Sequence, residues 1–179
     1  LEKIFISCKK SQKKIKAVMH YAGFKYVEKS FTDPLLYWEN NVSGTISLLK
    51  TMDRNECRTI VFSSSASIYS PLNLGTIKEN DEISPISPYG NTKATIEKIL
   101  KDIFSFGSSK WKIANLRYFN PIGAHSTGFI GDDPVVKSTN IFPSLLDCCF
   151  DKSKTFYING RDWQTKDGTC VRDYIHVED

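Results

Sequence analysis

The sequence predicts an α/β fold built on a doubly wound parallel sheet, and three observations carry that prediction. Short apolar runs alternate along the chain with segments of helical periodicity. The runs are continuous and β-branched, as in Arg58-Thr59-Ile60-Val61-Phe62-Ser63, which suits strands buried on both faces. The helical segments open on a polar cap followed by proline, at Thr32-Asp33-Pro34 and at Ser87-Pro88. Strands alternating with helices of this length make βαβ units, hence parallel pairing with helices over both faces.

In chain order, residues 1–16 carry six lysines (Lys3, Lys9, Lys10, Lys13, Lys14, Lys16) around Leu1, Ile4, Phe5 and Cys8 at helical spacing. This reads as a solvated basic helix face, without the repeated aromatic interleaving that stacks bases. Ala17 to Gly23 is the first expected strand. The helix opened by Asp33-Pro34 is expected to run to about Met52, burying Leu35, Val42, Ile46 and Leu49. A second strand covers 58–63. The helix after Ser87-Pro88 turns Ile96, Ile99, Leu100 and Ile103 inward, and Ile113 to Phe119 is the third strand.

With 179 residues and 40% apolar content, the chain is long enough to bury a core, and no apolar run approaches the ~18 residues of a membrane span. The net charge of +4 does not by itself argue for nucleic acid. Five cysteines (Cys8, Cys57, Cys148, Cys149, Cys170) with no Cys-x-x-Cys spacing predict neither a disulfide framework nor a thiolate zinc site. Cys148 and Cys149 read as buried small hydrophobes on a helix. His20, His125 and His176 are too scattered for a metal site, and His20 and His176 are expected to be structural. A cytoplasmic protein is the expectation. The start at Leu1 and the character of the last residues, Val171 to Asp179, lead us to expect a piece of a longer chain.

Ligands of such sheets sit beyond the carboxyl ends of the strands. The first strand ends in His20-Tyr21-Ala22-Gly23-Phe24-Lys25, whose small residues allow a ligand near the backbone. The second ends in Ser63-Ser64-Ser65-Ala66, three hydroxyls at the carboxyl edge. Tyr89 and Lys93 stand four apart at the start of a helix, on one face. A phenol titrating near 10 needs roughly 4 kcal/mol of help to fall by about 3 units, which two nearby cations in a partly dry site could supply.

Ser63-Ser64-Ser65 followed by Tyr89-x-x-x-Lys93 resembles the Ser/Tyr/Lys set of the extended short-chain dehydrogenase/reductases. The stretch 116–125 (Leu-Arg-Tyr-Phe-Asn-Pro-Ile-Gly-Ala-His), then Gly131-Asp132-Asp133-Pro134 and 167–177, looks like the UDP-glucose 4-epimerases within that family. Residues 20–25 and Asn40-Asn41-Val42-x-Gly44-Thr45 match in the same order, so the resemblance is collinear over nearly the whole chain.

The resemblance implies a Rossmann-like NAD-binding part over residues 1–137 and the start of a nucleotide-sugar-binding region over 138–179. It implies Tyr89 as base toward the sugar 4-hydroxyl, Lys93 on the nicotinamide ribose, and Ser65 on the 4-oxygen, with NAD retained throughout. Tyr21, Ala22, Gly23, Phe24, Lys25, Asn40 and Phe119 match cofactor-contacting positions, as do Ser65, Tyr89 and Lys93. Asn120, Asn140, Ile141 and Arg172 match positions that hold the UDP-sugar, Arg172 by its fork of donors on the diphosphate. It also implies a possible homodimer, no metal, and no nucleic-acid or membrane partner.

Two features depart from the family pattern. The sequence holds no Gly-x-Gly-x-x-Gly turn, so the first βαβ unit that carries it is expected to lie outside this chain. Asn159, in Tyr157-Ile158-Asn159-Gly160, stands where the family usually places an aromatic ring beside the uracil. The alternative readings are another nucleotide-sugar epimerase or dehydratase, or a non-catalytic remnant serving as an interaction module. The dehydratases usually follow the first hydroxyl of the serine stretch with an Asp-Glu pair, and Ser63-Ser64-Ser65-Ala66 offers no acid.

Overall fold

The computed structural model describes residues 1–70, 75–107, 110–131 and 140–179. They form two compact units, Leu1–Tyr118 and Phe119–Asp179. The expected division after residue 137, and the Asp132-Asp133-Pro134 motif, lie outside the described residues.

The first unit is organised by a three-stranded parallel sheet in the order β1 (Val18–His20), β2 (Thr59–Ser63), β3 (Lys112–Leu116). Register places Val18 and His20 beside Ile60 and Phe62, which stand beside Ile113 and Asn115. These residues share one face, which is covered over all of them but the exposed Asn115. Ile60 and Phe62, each 1% exposed, pack with Leu48, Leu49 and Met52 of α4 (Gly44–Arg54), Ile96 and Leu100 of α5 (Pro88–Phe106), and Phe5 of α1 (Glu2–Lys10). The opposite face carries Met19, 64% exposed, with Val61 and the exposed Ala114. Helical cover was expected on both faces; among the described residues it lies on one.

The elements differ from expectation in instructive ways. β1 is three residues long, because after His20 the chain leaves the ladder with β2. The single helix expected from Pro34 is three pieces: α3 (Pro34–Tyr37), a π-helical turn (Trp38–Ser43), then α4. Asp33 caps as expected, its Oδ1 accepting the Leu36 N–H at 3.2 Å. The wider π turn rotates the preceding segment, so Tyr37 is buried and Leu35 is 77% exposed. Val42 and Leu49 are buried as expected, with Ile46 packed against the same core. A helix not foreseen, α2 (Val27–Thr32), precedes α3. On α1 only Phe5 is buried; Leu1 and Ile4 are each 58% exposed. α5 follows expectation, its N-cap Ser87 accepting the Gly90 N–H at 3.0 Å.

In the second unit β4 (Asn120–Ile122) pairs parallel with β5 (Tyr174–His176). The Phe142 ring of α6 (Ile141–Phe150) meets Tyr174 edge-on at 5.2 Å between ring centres. Gly123, at φ +88°, leaves room for the His176 imidazole; a Cβ there would stand 2.1 Å from that ring. On α6 Cys148 is half-buried and Cys149 exposed, which corrects the expectation of two buried thiols. No residue of α6 is buried, so the helix has no buried stripe to hold them.

Candidate active site

The carboxyl ends of β1 and β2 meet the first turns of α5. Three serines in a row face three residues spaced four apart on one helix side. The Lys93 ammonium donates to the Ser63 carbonyl at 2.7 Å and lies 4.8 Å from the centre of the Phe62 ring. The Ser64 hydroxyl donates to Glu97 Oε1 at 2.5 Å. The Ser65 hydroxyl stands close enough to the Tyr89 phenol to favour its charged form. Ser65 also caps a short 3₁₀ turn (Ala66–Ile68), its oxygen accepting the Ser67 N–H at 3.2 Å and the Ser67 hydroxyl at 2.8 Å. With those two bonds accepted, the Ser65 hydroxyl keeps its own proton to give. Of the sequence-predicted residues, Ser65, Tyr89 and Lys93 are therefore brought together.

Both helix residues are buried, Tyr89 at 8% and Lys93 at 6% exposure. Burial pushes the Lys93 ammonium down to about 8, since a cation loses more than an amine on leaving water. Burial pushes the Tyr89 phenol up, and the Ser65 hydroxyl opposes that rise by favouring the phenolate. The sequence suggested that Lys93 would favour the phenolate; its ammonium instead lies 5.7 Å from the Tyr89 ring centre and is committed to Ser63. Desolvation is the largest influence on the phenol.

The loop after β1 exposes Tyr21, Ala22, Gly23, Phe24 and Lys25 beside this cluster. Its clamp is a residue that sequence reasoning passed over, Asn41. Displaced inward by the π turn and 2% exposed, Asn41 accepts the Phe24 N–H at 2.8 Å and donates to the Phe24 carbonyl at 3.1 Å. It also donates to Thr92 Oγ1 at 3.3 Å, and Thr92 in turn donates to the Tyr89 carbonyl at 2.7 Å. The neighbouring Asn40, a predicted cofactor residue, is exposed and donates to Asn41 Oδ1 at 2.9 Å. His20, buried under Phe62, shares a 2.8 Å bond with Thr45 and is pushed below its usual range by burial and by Lys93. Tyr118, also unforeseen, stands beside Tyr21, so the chain after β3 reaches the chain after β1. The signal for Asn41 was present in the sequence as an Asn-Asn pair; what hid it was the π turn, which no periodicity announces.

The remaining predicted residues belong to the second unit. Asn120 donates from Nδ2 to the Asp173 carbonyl at 2.8 Å, fixing the chain next to Arg172. Asn140 and Ile141 stand at the start of α6, and Phe119, Ile141 and Arg172 are exposed. Among the described residues no group of three or more His, Cys, Asp or Glu could hold a metal ion. No helix among them is long and apolar enough to cross a membrane.

A family profile described as NAD dependent epimerase/dehydratase family matches residues 6–179. The chain belongs to that family. UDP-glucose 4-epimerase 2 of Arabidopsis thaliana is 45% identical over 179 residues, all of this chain and 49% of that protein. The crystal structure of UDP-glucose 4-epimerase from Bifidobacterium longum, in complex with NAD+ and UDP, aligns with a TM-score of 0.88 and 37% identity. It covers 98% of this chain and 52% of that one. The enzyme of Stenotrophomonas maltophila, with bound NAD and formylated UDP-arabinopyranose, aligns with a TM-score of 0.86 and 36% identity, covering 98% of this chain and 52% of that one. The fold of this epimerase/dehydratase family member is thus Rossmann-like, and the chain spans about half the length of the relatives it matches.

Proposed function

We propose that this chain carries the catalytic centre of a UDP-glucose 4-epimerase, interconverting UDP-galactose and UDP-glucose through a 4-keto sugar with NAD retained in the site. The observation that carries the reading is Tyr89 and Lys93 buried on one helix side against the serine run, Lys93 on the Ser63 carbonyl and Ser65 beside the phenol, in a chain 45% identical to an enzyme of that name. The residues present fit the nicotinamide-ribose end of NAD. Lys93 spends one of its three N–H groups on Ser63, and the exposed backbone of 21–25 stands nearby. When bound, NAD supplies the hydride acceptor and a positively charged ring that favours the Tyr89 phenolate.

Within this reading Tyr89 takes the proton from the sugar 4-hydroxyl, and Ser65 hydrogen-bonds the 4-oxygen and relays the proton's movement. Lys93 holds the nicotinamide ribose. Tyr21 to Lys25, Asn40 and Phe119 line the cofactor. Asn120, Asn140, Ile141 and Arg172 hold the UDP-sugar, with Arg172 on the diphosphate. Residues 1–137 form the NAD-binding part and 138–179 the beginning of the sugar-nucleotide part, in a cytoplasmic enzyme that forms a homodimer.

The test is Tyr89→Phe in protein carrying this chain, assayed with UDP-galactose. Loss of the base is expected to cut turnover by about 10²–10⁴-fold while UDP binding holds; unchanged turnover overturns the role. Turnover of dTDP-glucose in preference to UDP-galactose would place the chain with the dehydratases.

A further inference from the structure

We propose that Glu97, held between Ser64 and Arg117, is the positioning residue that sets the Ser65–Tyr89 and Ser63–Lys93 contacts; this rests on the reading above that Ser65, Tyr89 and Lys93 do the chemistry. Tyr89, Lys93 and Glu97 recur every four residues on α5 and so share one side of the helix. Ser63, Ser64 and Ser65 follow one another, and in a continuing strand successive side chains would alternate between faces. They do not alternate because β2 stops at Ser63, where the Ser64 N–H turns back onto the Phe62 carbonyl at 3.0 Å. Each serine then meets its own partner on α5: the Ser63 carbonyl with Lys93, Ser64 with Glu97, Ser65 with Tyr89.

The outer two contacts involve groups that would touch cofactor and sugar. The middle one does not. Ser64 is 3% and Glu97 5% exposed, and Glu97 bonds nothing among the described residues except Ser64 and Arg117. A buried carboxylate is tolerated only when paired and hydrogen-bonded. Arg117 meets that need, with Nη2 at 2.6 Å and Nε at 3.0 and 3.2 Å from the two carboxylate oxygens. The guanidinium's Nη1 donates to the Tyr69 hydroxyl at 2.5 Å and the Glu79 carbonyl at 2.7 Å. Tyr69 bridges to Ile83, and the Ser84 N–H donates to the Ile68 carbonyl at 2.9 Å, which holds the chain leading to the Ser87 cap and Tyr89. One carboxylate therefore fixes the end of β2 against α5 along the strand and across it. Displacing reacting groups by about 1 Å costs up to about 10²-fold in rate, so the middle contact governs the outer two.

Two variants test this in protein carrying the chain. Ser64→Ala deletes the middle contact and leaves the Glu97–Arg117 pair; Glu97→Gln keeps the shape and removes the charge. Each is expected to lower kcat for UDP-galactose about tenfold or more, with KM within about twofold and the folded fraction unchanged by near-UV circular dichroism. In parallel, 3-fluorotyrosine at Tyr89 is titrated by ¹⁹F NMR, a readout that needs no turnover. Its midpoint is expected to rise by about half a unit or more in Ser64→Ala, as Ser65 loses its aim at the phenol. Unchanged kcat with an unchanged midpoint overturns the proposal. If Tyr89→Phe keeps full turnover, the catalytic reading has failed, and the fluorine titration alone then decides whether Glu97 positions Tyr89.

Discussion

Gly90→Ala tests how tightly the start of α5 is seated. A Cβ at Gly90 would lie 2.5 Å from the Ser67 carbonyl oxygen, 2.9 Å from Pro85 Cβ and 3.2 Å from Ser87 Oγ. Reaching an ordinary 3.4 Å contact requires the helix to withdraw by about 0.9 Å from a backbone oxygen. Ser67 cannot yield instead, because its N–H and hydroxyl are both bonded to Ser65. Overpacking of this kind costs about 1–3 kcal/mol. Alanine in place of glycine inside a helix returns about 0.8–1 kcal/mol, so the net loss is about 1 kcal/mol, read as a lowered urea midpoint at unchanged slope. Gly44→Ala is the control, since nothing lies within 4 Å of its Cβ position and only the helix gain remains. If both variants are stabilised alike, propensity governs both, α5 slides freely, and the argument that Ser65 and Tyr89 are held in fixed register fails.

The other predictions follow from buried polar groups. Lys93 titrates at about 8 in the folded chain against 10.5 in the unfolded one, so the native state holds fewer protons between those values and stability rises with pH there. The wild-type stability relative to Lys93→Met is expected to climb by at most about 3 kcal/mol from pH 7.5 to 10 in urea titrations, the Ser63 carbonyl and Phe62 ring reducing it; a flat difference contradicts the burial argument. Arg117→Met strands the Glu97 carboxylate and is expected to cost about 3–5 kcal/mol, mostly recovered in Arg117→Met/Glu97→Gln; additive losses in the two-variant cycle would show the groups are not coupled. Asn41→Ala frees the Phe24 backbone and removes one of the two bonds of the Thr92 hydroxyl, at about 1–3 kcal/mol, and hydrogen exchange at the Phe24 amide is expected to accelerate. Unchanged protection there would remove Asn41 as the clamp.

What the sequence made legible was local. Asp33-Pro34 and Ser87-Pro88 announced their helices because cap chemistry needs no tertiary partner. The Tyr89/Lys93 pair was visible because helical spacing alone puts both on one face. Glu97 was passed over although it continues that spacing, since its meaning depends on Ser64 and on Arg117, 20 residues away along the chain. Tyr89 shows a similar limit: charge proximity is written in the sequence, and the desolvation that raises the phenol here is not. The uncovered sheet face escaped because a continuous apolar strand reads the same with or without a layer above it.

The π-helical turn at Trp38–Ser43 has a consequence for anyone wishing to make this chain sturdier. Substitutions that favour ordinary α-helix would rewind the same residues with better-aligned bonds, the change that stability engineering favours. Rewinding would also swing everything before the turn by about 100° around the helix axis, restoring Leu35 to the inward position and carrying Tyr37 out of its bond with the Tyr26 carbonyl. The loop from Tyr21 to Lys25 would lose its seat while the core beneath it improved. Here the surplus residue works as a spacer, and a consensus helix laid over it would yield a tougher protein with its ligand edge out of register.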